Sequence, residues 1–350
     1  MARRDSMPRA VSLPKETHSS ASTARRTALK AGLSVALSAS LGGLLISTTS
    51  SCTAEPRPGK ITVAGGETGG FYLEFATLVA KSMQRHGVAD TAEPLVTGGS
   101  LENMERLLAG EATFAVALAD AAAQKAATQT QPAGGGGIVA LGRVYENYVH
   151  CVVRKDSGIQ SFSNLAGKTA AIGEAGSGTS LTAQRIVSAS GLSAPIGEQP
   201  MRQVILGLNQ GLAALRDGAV DALFWSGGVP TAAIAAANRE LGLRFVDLSA
   251  LIAATRARFG AYYDRVLIPE GSYEGSPGVW TVGVANLLLC RADLDDLTVR
   301  KTVELLVNRA EELIPKSSLG VQFLSPDTLI NTAGVPLHPA AAAAYRSLHG

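Results

Sequence analysis

The sequence predicts an α/β protein of two lobes built on mainly parallel sheets. Three observations carry this. Short apolar strands alternate with helix-length segments along most of the chain, the pattern of successive βα units. Four strand-to-helix junctions, around Gly70, Gly99, Gly178 and Gly227, carry glycine beside hydroxyl or aromatic residues. Residues 106–115 are echoed by residues 214–223: in each, a helix stops at glycine and a strand runs on to a loop. Ligands of such sheets sit beyond the C-terminal strand ends. Junctions from both halves converging on one crevice would therefore make a binding cleft.

Composition allows this. The chain has 350 residues, 46% of them apolar, enough for a sizeable core. The 38 glycines fit tight turns and close helix–sheet packing. The 31 basic and 29 acidic residues are unevenly placed. Residues 1–51 hold seven Lys/Arg and two Asp/Glu, leaving 24 basic against 27 acidic for the remainder. The body is thus mildly acidic, and neither its charge nor its aromatic content suits nucleic-acid binding.

The basic start reads as an export signal. Arg25-Arg26 begins a twin-arginine pattern, and an apolar run follows at 33–46. That run is shorter than the ~20 residues a bilayer span needs. Twin arginines point to the Tat route, although Ala28 stands where that pattern has an aromatic, which keeps Sec export open. Thr49-Ser50-Ser51-Cys52 resembles a lipobox, with Cys52 as the lipidated mature N-terminus; soluble secretion after a nearby cut is the alternative. Residues 52–59 read as a tether.

In chain order, 60–64 is a strand, and 71–85 a helix. A second strand is expected at 95–97, then a helix at 101–109 with Ser100 as N-cap and Gly110 as its stop. Strand 114–119 follows, with Asp120 capping the next helix; 128–137 is a surface loop. Strands are expected at 138–144 and 148–154, and a helix-like turn at 162–165. Strand 168–173 leads through Gly176-Ser177-Gly178-Thr179-Ser180 into a helix ending at Ser190. A helix is expected over 204–216. Strand 222–225 then breaks at Ser226-Gly227-Gly228 and restarts as a helix, with Pro230 in its first turn. A short strand at 246–248, a turn-rich loop at 268–278, a long strand at 280–290, a helix at 295–312 and an Ala-rich C-terminal helix complete the chain.

Each junction aims helix N–H groups and the positive helix end at one place, which equips it for a small anionic or polar molecule. Catalytic and metal motifs fail. Gly167-Lys168-Thr169 lacks the upstream glycine of a P-loop and precedes a strand. The glycine runs do not fit a dinucleotide fingerprint, Ser177 lacks a G-x-S-x-G frame, and no His/Cys spacing suggests zinc. No catalytic residue, metal or cofactor is expected. His150 reads as a hydrogen-bonded core residue, and Glu67 and Glu74 as solvated acids. Cys151 and Cys290 lie in apolar strands, where buried free thiols and a disulfide both remain open.

Several segments together resemble the TAXI family of TRAP-transporter solute receptors. They are Gly69-Gly70-Phe71-Tyr72, Gly99-Ser100-Leu101-Glu102-Asn103, the YVHCVVRKDSG run at 148–158, Gly176-Ser177-Gly178-Thr179, Asp217-Gly218 with 221–231, IPEGSYEG at 268–275, and Pro336-Leu337-His338-Pro339. The resemblance spans about residues 60–348. It implies a two-lobed periplasmic-binding-protein fold: two mixed, mainly parallel sheets with helices on both faces, joined by hinge strands. Lobe 1 would be 60–147 and 283–350, and lobe 2 148–282, with both remaining cysteines on the hinge. It implies capture of a small organic acid or a glutamate/glutamine-like amino acid by hinge closure, and delivery to TRAP permease subunits at the membrane. Carried over by position, Tyr72 and Trp225 would wall the pocket. Asn103, Ser177 and Thr179 would bind polar groups, and Gly70, Ser100, Gly178, Ser226 and Gly227 complete the candidate set. Where the family often continues Tyr-Pro, this chain has Leu73-Glu74; a carboxylate facing inward there would disfavour a dianion. A receptor presenting ligand to a sensor protein is one alternative. A transferase on a related fold, with Cys151 as the only plausible thiol, is another.

Overall fold

The computed structural model describes residues 57–128, 136–193, 199–315 and 324–349. The export signal, Cys52, most of the tether and most of the 128–137 loop lie outside them. No helix among the described residues is long and apolar enough to cross a membrane.

The chain runs β1 (Lys60–Ala64), α1 (Phe71–Arg85), β2 (Thr91–Leu95), α2 (Ser100–Leu108), β3 (Phe114–Leu118), α3 (Ala119–Thr128) and a long β4 (Ile138–Arg154). It continues with β5 (Thr169–Ala171), α4 (Gly178–Ser190), β6 (Arg202–Val204), α5 (Leu208–Arg216), β7 (Ala222–Gly227), α6 (Ala232–Leu241) and β8 (Leu243–Phe245). Then come α7 (Ile252–Phe259), β9 (Tyr263–Ile268), a second long strand β10 (Val279–Arg291), α8 (Asp296–Asn308), α9 (Pro326–Leu329) and α10 (Pro339–His349).

The architecture is α/β, as expected. Each half holds a parallel trio, β2-β1-β3 in one and β6-β5-β7 in the other. The two expected sheets are continuous, in the order β2-β1-β3-β10-β4-β7-β5-β6. The cause is β4, which pairs with β10 from Ile138 to Tyr148 and with β7 from Tyr148 to Val153. β10 likewise pairs with β3 near its end and with β9 near its start. The lobe boundaries expected at 147/148 and 282/283 thus fall inside these two strands. Both are buried along nearly their whole length, as strands covered on two faces are.

Several elements differ from the sequence reading. The 138–144 and 148–154 strands are one, because Glu146 and Asn147 do not break β4; they are buried within it. β2 lies earlier than expected, since its parallel register sets Lys60 beside Thr91 and Ala64 beside Leu95. As an edge strand it tolerates Pro94 and solvent-facing polar residues, so no apolar run marked it. The expected 204–216 helix begins only at Leu208, after Gly207, and β6 pairs with β5 before it. The short strand expected at 246–248 is β8, displaced to 243–245 by pairing with β4. α7 and β9 had no counterpart in the reading. Pro230 follows a cis peptide bond and lies outside α6, whose N-cap is Thr231. The end of the tether is not free: Arg57 pairs with Asp90, and Pro58 O accepts the Asp90 N–H.

Both described cysteines are free and buried. Cys151 stands beside Phe224 and Cys290 beside Val139, at opposite ends of β4, so no disulfide joins them.

Candidate functional site

The four glycine junctions meet. One pocket is lined from the first half by Gly66, Glu67, Gly70, Tyr72, Gly98 and Gly99, and from the second by Ser177, Gly178, Thr179, Trp225 and Ser226. Its volume is about 20 Å³, little more than a water molecule occupies. The halves are therefore shut upon one another.

Glycine permits this closeness. A Cβ on Gly178 would stand 2.5 Å from Ser100 Oγ and 2.7 Å from Leu118 Cδ1, far inside van der Waals contact. Gly228 lies against the Phe71 ring in the same way. Hydrogen bonds cross the seam as well. The Leu101 N–H donates to Gly176 O at 3.0 Å, Asn209 Nδ2 to Thr68 O at 3.1 Å, and the Leu208 N–H to Glu67 Oε2 at 2.9 Å.

The residues singled out from the sequence divide into two groups. Gly70, Tyr72, Ser177, Gly178, Thr179, Trp225 and Ser226 line the pocket. Ser177 also caps α4 through the Ser180 N–H, and Thr179 Oγ1 accepts the Ser226 N–H at 3.1 Å. The Trp225 indole donates to Thr231 Oγ1, which fixes the ring as a wall. Ser100, Asn103 and Gly227 are not lining residues. Ser100 does not cap α2, whose N-cap is Gly99; its hydroxyl instead receives the Leu118 N–H at 3.1 Å and meets Tyr72 OH at 3.3 Å. Asn103 is fully buried, and its amide is occupied by Gly65 O, Val116 O and the Thr97 hydroxyl. It ties α2 to β1 and β3 and has no hydrogen left for a solute.

Glu67 is the charged residue of the pocket, not Glu74, which is exposed on α1. Burial raises the Glu67 pKa, the Leu208 N–H opposes this, and Glu174 adds repulsion. No basic side chain lines the pocket.

Beneath it lies a set of residues the sequence reading passed over. Tyr145, Asn147 and Asn286 are fully buried on β4 and β10. Asn147 Nδ2 reaches Ser226 Oγ at 3.3 Å, and the amide lies beside Tyr72 OH. Tyr145 OH, Asn147 Oδ1 and both polar atoms of the Asn286 amide have no partner. The available signal was an amide set within an otherwise apolar strand pattern.

Two further buried networks surround the site. Asp120 does not cap a helix from outside: it sits in the first turn of α3. Its carboxylate accepts from Arg185, Thr182 and Tyr263, so it ties the first half to the second. Burial raises its pKa, and Arg185 opposes the shift. His150 is the core residue expected. Its Nδ1 bonds Tyr148 O and its Nε2 meets Tyr273 OH, and burial lowers its pKa to about 4. Burial pushes the Cys151 thiol up to about 12, far from a reactive thiolate.

Residues 63–347 match the NMT1-like family, and the chain belongs to that family. Solved structures similar to it include the alkanesulfonate-binding protein SsuA from Xanthomonas axonopodis pv. citri bound to MOPS, at 16% identity, TM-score 0.40, covering 84% of each chain. A variant of ArgBP from T. maritima aligns at 13% identity and TM-score 0.44, over 73% of this chain and 92% of that one. An amino acid ABC transporter substrate-binding protein from Streptococcus pneumoniae bound to L-arginine aligns at 16% identity and TM-score 0.42, over 75% and 95%.

Proposed function

We propose that this member of the NMT1-like family is an extracytoplasmic solute-binding receptor, working by hinge closure. The observation that carries this is the meeting of three glycine-flanked helix starts, of α1 and α2 from the first half and α4 from the second, with the end of β7 around one pocket beside two shared strands. As described, the pocket admits little beyond water. A metabolite would enter with the halves further apart and hold them in a partly closed state, which requires tighter binding to that state than to the open one. β4 and β10 are the hinge of this motion, and residues 148–282 move as lobe 2 against the rest.

The motif set supports a TAXI-type receptor serving TRAP permease subunits, held to the membrane through Cys52, with an organic acid or amino acid as its solute. The transferase reading loses support, because its thiol candidate is buried and strongly protonated. Native mass spectrometry of the purified protein should reveal a co-purified small molecule. Small-angle scattering should show expansion once that molecule is dialysed away. A protein that retains no small molecule, and whose scattering is unchanged by cell extract, is not a receptor of this kind. Intact mass of membrane-extracted protein against Cys52→Ala tests the anchor.

A further inference from the structure

Four polar atoms on one face of the central strands lack partners: Tyr145 Oη, Asn147 Oδ1, Asn286 Oδ1 and Asn286 Nδ2. Side chains two apart on a strand share a face, and directly paired residues do too. Asn286 pairs with Tyr145 on one side and with Leu118 on the other, and Val284 pairs with Asn147. Leu118 Cδ1 reaches to within 2.7 Å of where a Gly178 Cβ would stand, and Gly178 lines the pocket. This face therefore looks toward the cleft, beneath Tyr72. Each unpaired buried group costs roughly 1–3 kcal/mol. Scattered orphans would be defects, but orphans gathered on one face below a pocket are groups waiting for a partner.

Their chemistry narrows that partner. The set offers donors and acceptors side by side and no charge. The only charge of the pocket is the Glu67 carboxylate, with Glu174 near it. An anionic head placed on this floor would meet no cation and would be repelled from the rim.

The buried polar layer beneath the cleft, Asn286 with Tyr145 and Asn147, lines no part of the shut pocket. We infer that this layer is uncovered as the halves part, and then recognises an uncharged donor–acceptor head of the solute, such as a carboxamide, and rejects the corresponding carboxylate. A planar amide matches the Asn286 side chain edge to edge, its N–H on Oδ1 and its carbonyl on Nδ2. Asn147 Oδ1 takes the second amide hydrogen, and the Tyr145 hydroxyl completes the ring of contacts. This rests on the receptor reading and specifies which end of the solute goes down.

Three amide/acid pairs test it: glutamine and glutamate, succinamate and succinate, nicotinamide and nicotinate. Each is titrated at millimolar concentration onto the dialysed full chain, by native mass spectrometry and thermal shift. The amide of at least one pair should bind about tenfold more tightly than its acid. Asn286→Leu and the shape-conserving Tyr145→Phe should abolish that preference without lowering the melting temperature of the unliganded protein. Acids equal to or better than amides overturn the head-group assignment while leaving the receptor reading intact. So do variants that bind both members of each pair as the wild type does. Binding of neither member also overturns the assignment; the extract and scattering experiments then decide separately whether the protein is a receptor.

Discussion

Two buried asparagines lie against the same strand, β3, and they are opposites. Asn103 has both amide hydrogens and its carbonyl engaged by Gly65, Val116 and Thr97. Asn286 has no partner for either polar atom. Burial alone does not separate architecture from recognition, since both side chains are wholly inaccessible. The count of satisfied bonds does. Asn103 holds a helix to two strands; Asn286 is preorganised for something the fold does not itself supply.

The widest gap in outcome follows from that contrast. Asn103→Ala removes three buried hydrogen bonds, to Gly65 O, Val116 O and the Thr97 hydroxyl, and should cost roughly 3–4 kcal/mol. Asn286→Leu removes two orphans and should lie within about 1 kcal/mol of zero or stabilise the fold. Urea denaturation of the two variants measures both. Similar losses in the two would break the distinction.

Next in size is the tie between the halves at Asp120. Arg185→Met leaves a buried carboxylate without its cation, a loss of about 3 kcal/mol at neutral pH. The sign of its pH dependence is fixed by burial, which raises the Asp120 pKa. An acid whose folded pKa is raised favours the fold below its unfolded pKa and loses that contribution as pH rises. Arg185→Met should therefore approach wild-type stability in acid. A deficit that does not shrink on acidification would show that the lost term is packing.

The α/β class and most elements of both halves could be read from periodicity and glycine placement, and so could the pocket walls. The structure brings Tyr72, Ser177, Thr179 and Trp225 to one place because each sits at a strand end or helix start. Two kinds of information were not local. β2 and β6 are short edge or near-edge strands, defined by what they pair with rather than by apolar runs. The buried polar residues were hidden by their setting: Glu146-Asn147 fell in a gap between two expected strands, and Asn286 lay unremarked inside a long one. A polar residue in a strand looks the same from sequence whether the strand ends there or carries it buried.

Glu146 sharpens the comparison from the opposite face of β4. It is 2% exposed and paired with Arg143 at 2.7 Å, with Asp264 nearby. Burial pushes its pKa up to about 7 from 4.5, against the pull of Arg143. The fold should lose stability as pH rises from about 4.5 through 7, by on the order of 2–3 kcal/mol at most. Glu146→Gln should flatten that slope, as read from melting temperatures between pH 4 and 8. Persistence of the slope would assign it to other groups, Asp120 first.

The smallest effect is expected at the rim, where Glu67 accepts the Leu208 N–H across the seam. Its pKa is raised by burial and by Glu174, so its contribution to the closed form also fades as pH rises above the ordinary glutamate range. The group is partly solvated, and screening keeps the effect under about 1 kcal/mol. Glu67→Gln retains an acceptor for the Leu208 N–H and removes the repulsion with Glu174. It should therefore favour the closed form at pH 7 and leave it unchanged in acid, where the wild-type carboxyl is neutral too. Scattering radii of the unliganded protein at pH 4 and pH 7 separate these cases. If Glu67→Gln opens the cleft at pH 7, the negative charge itself holds α5 to the first half, and the rim is an electrostatic clasp instead of a tolerated strain.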